Sequence, residues 1–119
     1  MKVVFLTGTR ADYGKIKPLI NILSNNKGFD VSIVVCGMHL LEKYGNTYLE
    51  VEKDNLAKIY KIYHESYIDN DIAYAVSNNT QKVSELITEL ETDLLIIHGD
   101  RAEALSGAIA ALSKNMEIF

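Results

Sequence analysis

Leu94-Leu95-Ile96-Ile97-His98-Gly99-Asp100 decides the fold. Four apolar residues in a row, two of them β-branched, leave no polar face for solvent, which is the pattern of a strand covered on both sides. Gly99-Asp100 stops it. Upstream, Ile72, Val76, Val83, Leu86, Ile87 and Leu90 mark one face of a long helix beginning near Asp71, with Asn79 interrupting the stripe. Downstream, residues 102–114 read as a helix rich in Ala104, Gly107, Ala108, Ala110 and Ala111, small enough to dock closely on a sheet, and Met116-Glu117-Ile118-Phe119 opens a further strand. Helix, buried strand, helix and strand in alternation call for a parallel sheet.

The first third of the chain repeats the pattern. Lys2 to Thr7 is a nearly continuous apolar run ended by Gly8-Thr9, and Ile16, Leu19, Ile20 and Leu23 recur at helical spacing, with Asp12 as the upstream cap and Asn25, Asn26 and Gly28 as the stop. Pro18 conflicts with that helix, because a proline clashes with the carbonyl four residues back. The helix is expected either to start near Lys15, leaving Pro18 in its first turn, or to kink. Val31 to Cys36 gives the second strand of a right-handed βαβ unit. Residues 38–54 are amphipathic and broken at Gly45-Asn46, which predicts a helical turn and then a helix through Tyr48, Leu49 and Val51. Leu56 to Tyr63 reads as a third strand and residues 64–70 as a polar loop. The class is therefore α/β: one Rossmann-like, doubly wound parallel sheet over residues 1–119. Ligands of such sheets bind beyond the carboxyl ends of the strands, here Thr7 to Asp12, Gly37 to His39 and His98 to Arg101.

Composition bounds the function. With 48% hydrophobic and 24% charged residues the chain can form an ordinary globular core. It holds no run of about 18 apolar residues, and its apolar start is too short for a signal peptide, so no membrane association and a cytoplasmic location are expected. A formal net charge of −4 opposes a nucleic-acid partner, yet it leaves room for a small anion held by Arg10, Lys15 and Arg101. Cys36 is the single cysteine, without an internal disulfide partner, and reads as a small apolar residue at a strand end. Three histidines and one cysteine at these spacings form no zinc signature, so no metal is expected.

Gly8-Thr9-Arg10-Ala11-Asp12-Tyr13-Gly14-Lys15 has five residues between its first glycine and the Gly-Lys pair, and Ile16 follows the lysine, so it is not a P-loop. It still predicts free N–H donors at a helix start and a bidentate arginine, a setting for an anion. The plainer alternative pairs Arg10 with Asp12 and gives Gly8 to the turn. His98-Gly99-Asp100-Arg101-Ala102-Glu103 packs an imidazole, two carboxylates and a guanidinium into six residues at a strand end. Asp100 suits a general acid or base, with Arg101 holding substrate or tuning it. The plainer alternative makes Asp100 a helix N-cap and Glu103 its capping-box partner, and the two are compatible. His39, ending the second strand, reaches toward the same crevice or is simply hydrogen-bonded. His64 is read as solvated, and Tyr44, Tyr60, Tyr63 and Tyr67 as packing residues.

Taken in order and spacing, Gly8-Thr9-Arg10-Ala11-Asp12-Tyr13-Gly14-Lys15, Gly37-Met38-His39-Leu40, Tyr44-Gly45-Asn46-Thr47 and His98-Gly99-Asp100-Arg101 with an Ala-rich helix resemble the hydrolysing UDP-N-acetylglucosamine 2-epimerases along essentially the whole chain. Ala11-Asp12 after the arginine, where non-hydrolysing members carry Pro-Glu, points to the hydrolysing branch. The resemblance implies the N-terminal half of a GT-B two-domain fold and a homo-oligomeric parent enzyme with no cofactor. It implies anti elimination of UDP from UDP-N-acetylglucosamine to a 2-acetamidoglucal, and then hydration to N-acetylmannosamine for sialic or related acids. It makes Asp100 an acid/base carboxylate, Arg10 a contact to substrate or diphosphate, and Lys15, His39, His98 and Arg101 supporting cleft residues. Family members continue past the position of Phe119 into a strand bearing another essential carboxylate and a UDP-binding C-terminal domain, so this chain alone is expected not to turn over. Three other readings stand beside it: a non-catalytic anion- or nucleotide-sugar-binding module, a GT-B glycosyltransferase half, and an interaction partner recruiting another chain through a sheet edge.

Overall fold

The computed structural model describes residues 1–40, 45–63 and 71–119. The elements are β1 (Lys2–Thr7), α1 (Arg10–Ser24), β2 (Asp30–Val35), a 3-10 turn (Gly37–Leu40), α2 (Tyr48–Asp54), β3 (Lys58–Lys61), α3 (Ile72–Glu89), β4 (Leu94–Ile97), α4 (Ala102–Ser113) and β5 (Glu117–Ile118). The five strands form one sheet in the order β3-β2-β1-β4-β5, every neighbouring pair parallel. The α/β, doubly wound class expected from the sequence is the one observed. The expected loop at residues 64–70, with His64 and Tyr67, and Tyr44 lie outside the described residues.

Alternation along β1 explains its unbroken apolar run. Val3 and Phe5 face a core built with Val31, Ile33, Val35 and Ile96, covered by Tyr13, Ile16 and Ile20 of α1 and Val51 of α2. Val4 and Leu6 face the opposite core with Val34, Leu95, Val83 and Ile87 of α3, and Ala110 and Ala111 of α4. With apolar layers on both faces, Val3 to Leu6 leave no position for a polar residue. The small residues of α4 serve close docking, as expected: a Cβ on Gly107 would lie 2.6 Å from Leu6 Cδ2 and 3.1 Å from Ile97 Cγ2.

Two boundaries differ from expectation. Helix α1 begins at Arg10 and runs unbroken through Pro18, which therefore sits in the helix interior and not in a first turn. Pro18 faces solvent, and Gly14, whose carbonyl lies four residues back, has open space where a side chain would be. The cap of α1 is Thr9, with Asp12 as its capping-box partner and not the cap itself. At α4 the N-cap is Arg101, with no side-chain capping bond, so the expected Asp100–Glu103 capping box is not formed.

A crevice where the strand order reverses

From β1 the chain steps one way to β2 and β3, then crosses over to β4 and β5 on the other side. The carboxyl ends of β1 and β4 therefore flank the point where the strand order reverses, the place where open α/β sheets hold ligands. A cleft of about 380 Å³ lies there, walled by Gly8, Thr9, Asp12 and Lys15 on one side and His98, Asp100, Arg101 and Glu103 on the other. It brings together four of the six residues singled out in the sequence: Lys15, His98, Asp100 and Arg101. His98, Gly99, Asp100 and Arg101 are exposed at its mouth. Gly99 takes φ +114°, a backbone conformation that side chains disfavour, and so turns the chain from β4 into α4.

Arg10 and His39 lie elsewhere. The Arg10 guanidinium points away from the cleft and pairs with Glu50 of α2 (Nε–Oε2 3.1 Å), not with Asp12. The pair is largely exposed, and such pairs hold weakly. His39 is completely buried beneath the cleft. Its Nε2 lies 2.9 Å from Thr7 Oγ1 and its Nδ1 lies 2.9 Å from Thr47 Oγ1, while the Tyr13 ring meets it edge-on at 6.3 Å. Burial holds its pKa below the ordinary histidine value, against the opposing pull of the Asp12, Glu103 and Glu50 carboxylates.

The start of α1 does not offer the free donors expected of it. Asp12 folds back over its own turn: its Oδ2 accepts the Gly8 and Thr9 N–H groups at 3.2 and 3.1 Å, and its Oδ1 accepts the Thr7 hydroxyl. The Thr9 hydroxyl in turn accepts the Asp12 N–H at 3.1 Å. A carboxylate of the chain thus occupies the place an outside anion would take.

Glu103, read in the sequence as a capping-box partner, has a different place. It is 8% exposed and fills the space between two turns. A Cβ on Gly8 would come within 2.8 Å of its Cγ, and one on Gly37, at φ +59°, within 2.3 Å of its Oε1. Its buried Oε2 has no hydrogen-bond partner, and the nearest cation is Arg101, Nε at 3.4 Å. The available signal was the pair of glycines at the ends of two neighbouring strands, opposite one helix start. Cys36 is buried and free, and burial first, then Glu103 and Asp12, pushes its thiol pKa well up, which disfavours the reactive thiolate. No group of three or more His, Cys, Asp or Glu able to hold a metal occurs among the described residues. No helix among them is long and apolar enough to cross a membrane.

The sequence model of the family described as UDP-N-acetylglucosamine 2-epimerase matches residues 21–119. The chain is 37% identical over 116 residues to the UDP-N-acetylglucosamine 2-epimerase of Neisseria meningitidis serogroup B, covering 97% of this chain and 30% of the relative. It is 33% identical over 119 residues to the UDP-N,N'-diacetylbacillosamine 2-epimerase (hydrolyzing) of Legionella pneumophila, covering 98% and 32%. A crystal structure of UDP-GlcNAc 2-epimerase from Neisseria meningitidis bound to UDP-GlcNAc superposes with TM-score 0.79 at 18% identity, over 99% of this chain and 31% of that one. That likeness establishes a shared fold. The chain spans about 30% of the length of the curated relatives it matches, and it belongs to the UDP-N-acetylglucosamine 2-epimerase family.

Proposed function

We propose, from membership in that family, that this chain carries part of the active site of a hydrolysing 2-epimerase acting on UDP-N-acetylglucosamine or a closely related UDP-linked 2-acetamido sugar. The observation that carries the reading is the convergence of Asp100, Lys15 and Arg101 in one cleft at the carboxyl ends of β1 and β4. Elimination of UDP removes the C2 proton of the sugar and breaks the C1–O bond, which calls for a carboxylate within reach of a proton and cations toward a departing diphosphate. Asp100 supplies the first, and Lys15 and Arg101 supply the second, with His98 at the same mouth as a hydrogen-bonding group. Water then adds across the C1=C2 bond of the glucal and yields the free manno sugar. Arg10 joins this set only by exchanging its exposed partner Glu50 for the ligand. The hydrolysing subtype is supported by Ala11-Asp12 after Arg10 and by the hydrolysing relative from Legionella. We place the activity in the cytoplasm.

The test follows release of UDP and N-acetylmannosamine from UDP-N-acetylglucosamine by this chain, alone and combined with the UDP-binding domain of a full-length relative. Product from the combination, reduced by at least about 100-fold in Asp100→Asn, is the expected result, since positioned acid–base groups contribute roughly 10²–10⁴-fold. A folded pair that releases no product, or an Asp100→Asn variant of undiminished rate, overturns the assignment.

A further inference from the structure

Four side chains form an unbroken hydrogen-bonded line under the cleft: Thr47, His39, Thr7 and Asp12. Its sense follows from what each group can do. Asp12 Oδ2 is pinned by two backbone N–H donors, so the side chain cannot rotate and Oδ1 stays on Thr7. Asp12 Oδ1 and the Thr9 carbonyl, 3.3 Å from the Thr7 hydroxyl, both only accept, so the single Thr7 proton points to this side and the Thr7 oxygen accepts from His39 Nε2–H. Nδ1 then lacks a proton and accepts the Thr47 hydroxyl. Thr47 is free for this work, for it sits at the N-cap of α2 yet makes no side-chain capping bond.

We infer that Thr47, His39 and Thr7 form a proton relay ending on Asp12 in the cleft. Passage of one proton balances as follows. Solvent gives a proton to the hydroxyl of half-buried Thr47 while the Thr47 proton moves to Nδ1, the Nε2 proton moves to Thr7, and the Thr7 proton moves to Asp12 Oδ1. His39 changes from the Nε2–H to the Nδ1–H tautomer without becoming imidazolium, and passage in the reverse direction restores it. The charged groups facing the ring, Asp12 from α1, Glu50 from α2 and Glu103 from α4, favour an imidazolium, but burial outweighs them and keeps the ring neutral, as the relay needs. His39 is thus a positioning residue, and Asp12, which lines the cleft, is the end of the line. That Asp12 exchanges its proton with a sugar nucleotide rests on the proposed epimerase activity; the relay does not.

The experiment is two-bond ¹H–¹⁵N correlation of the imidazole nitrogens in the ¹⁵N-labelled chain, the His39 signals being those lost in His39→Gln. The unaltered chain is expected in the Nε2–H form. In Thr47→Val the line loses its solvent end, so the Nδ1 resonance should move toward that of an unbonded nitrogen and exchange of the Nε2 proton with solvent should slow. Thr7→Val cuts the line on the other side of the ring and should shift the Nε2 resonance in turn. A resting Nδ1–H form, or a folded Thr47→Val variant in which the Nδ1 resonance or the exchange rate is unchanged, overturns the relay. These shifts together with absent turnover by the chain combined with the UDP-binding domain would sink the epimerase reading and leave the relay standing.

Discussion

At the scale of single residues, His39 links the site to stability. Its folded pKa lies below the unfolded value of about 6.5, so the unfolded chain binds more protons wherever pH lies between the two, and stability falls as pH drops from about 6.5 toward the lowered value. Denaturant unfolding at pH 7.5 and 5 should show this loss, and His39→Gln should lessen it while lowering stability at pH 7.5. An equal loss in both proteins would assign it to other groups. Sequence reasoning found the residues at the cleft mouth, because charged groups packed just beyond an apolar strand stand out. It did not find the burial of Glu103 between two turns or the partners of His39. Those depend on which side chains meet across separate turns, and spacing along the chain carries no record of that. For Arg10 the choice lay between Asp12 and a ligand, and the structure gives it to Glu50, a residue forty positions on that local sequence could not nominate.

At the scale of elements, the alternation of strand and helix was legible throughout, since apolar runs of period-free strands and spaced helical stripes are strong signals. The exception is the start of α1. Pro18 argued for a late start, and the Thr9–Asp12 capping box and buried Tyr13, Ile16 and Ile20 outweigh it. Local propensity lost to capping and core packing. That conflict predicts a stabilising substitution: Pro18 is exposed, and alanine there restores an N–H toward the Gly14 carbonyl. With proline costing up to about 3 kcal/mol in a helix interior, Pro18→Ala should raise the unfolding free energy by about 1–3 kcal/mol, read from denaturant midpoints at unchanged slope. A decrease would show that the proline shapes α1 in a way the fold requires.

At the scale of the whole molecule, β1 and β4 are the centre on which both cores and both walls of the cleft depend. Leu95 is fully buried and lies on β4 opposite Val4, so Leu95→Ala should cost about 2–5 kcal/mol, a large part of the roughly 5–15 kcal/mol that holds a small domain. Ile118→Ala on the edge strand β5, where the side chain is 41% exposed, should cost far less by the same denaturation measurement; comparable losses would contradict a β1–β4 centre. Glu103 carries a different kind of consequence. One side chain occupies the room that Gly8 and Gly37 leave on two other turns, so the three positions share a fixed volume and cannot drift separately during evolution. In an alignment of relatives, a shorter residue at 103 should be accompanied by something larger than glycine at 8, and a chimera that mixes the turns of divergent relatives should misfit at this point before any other.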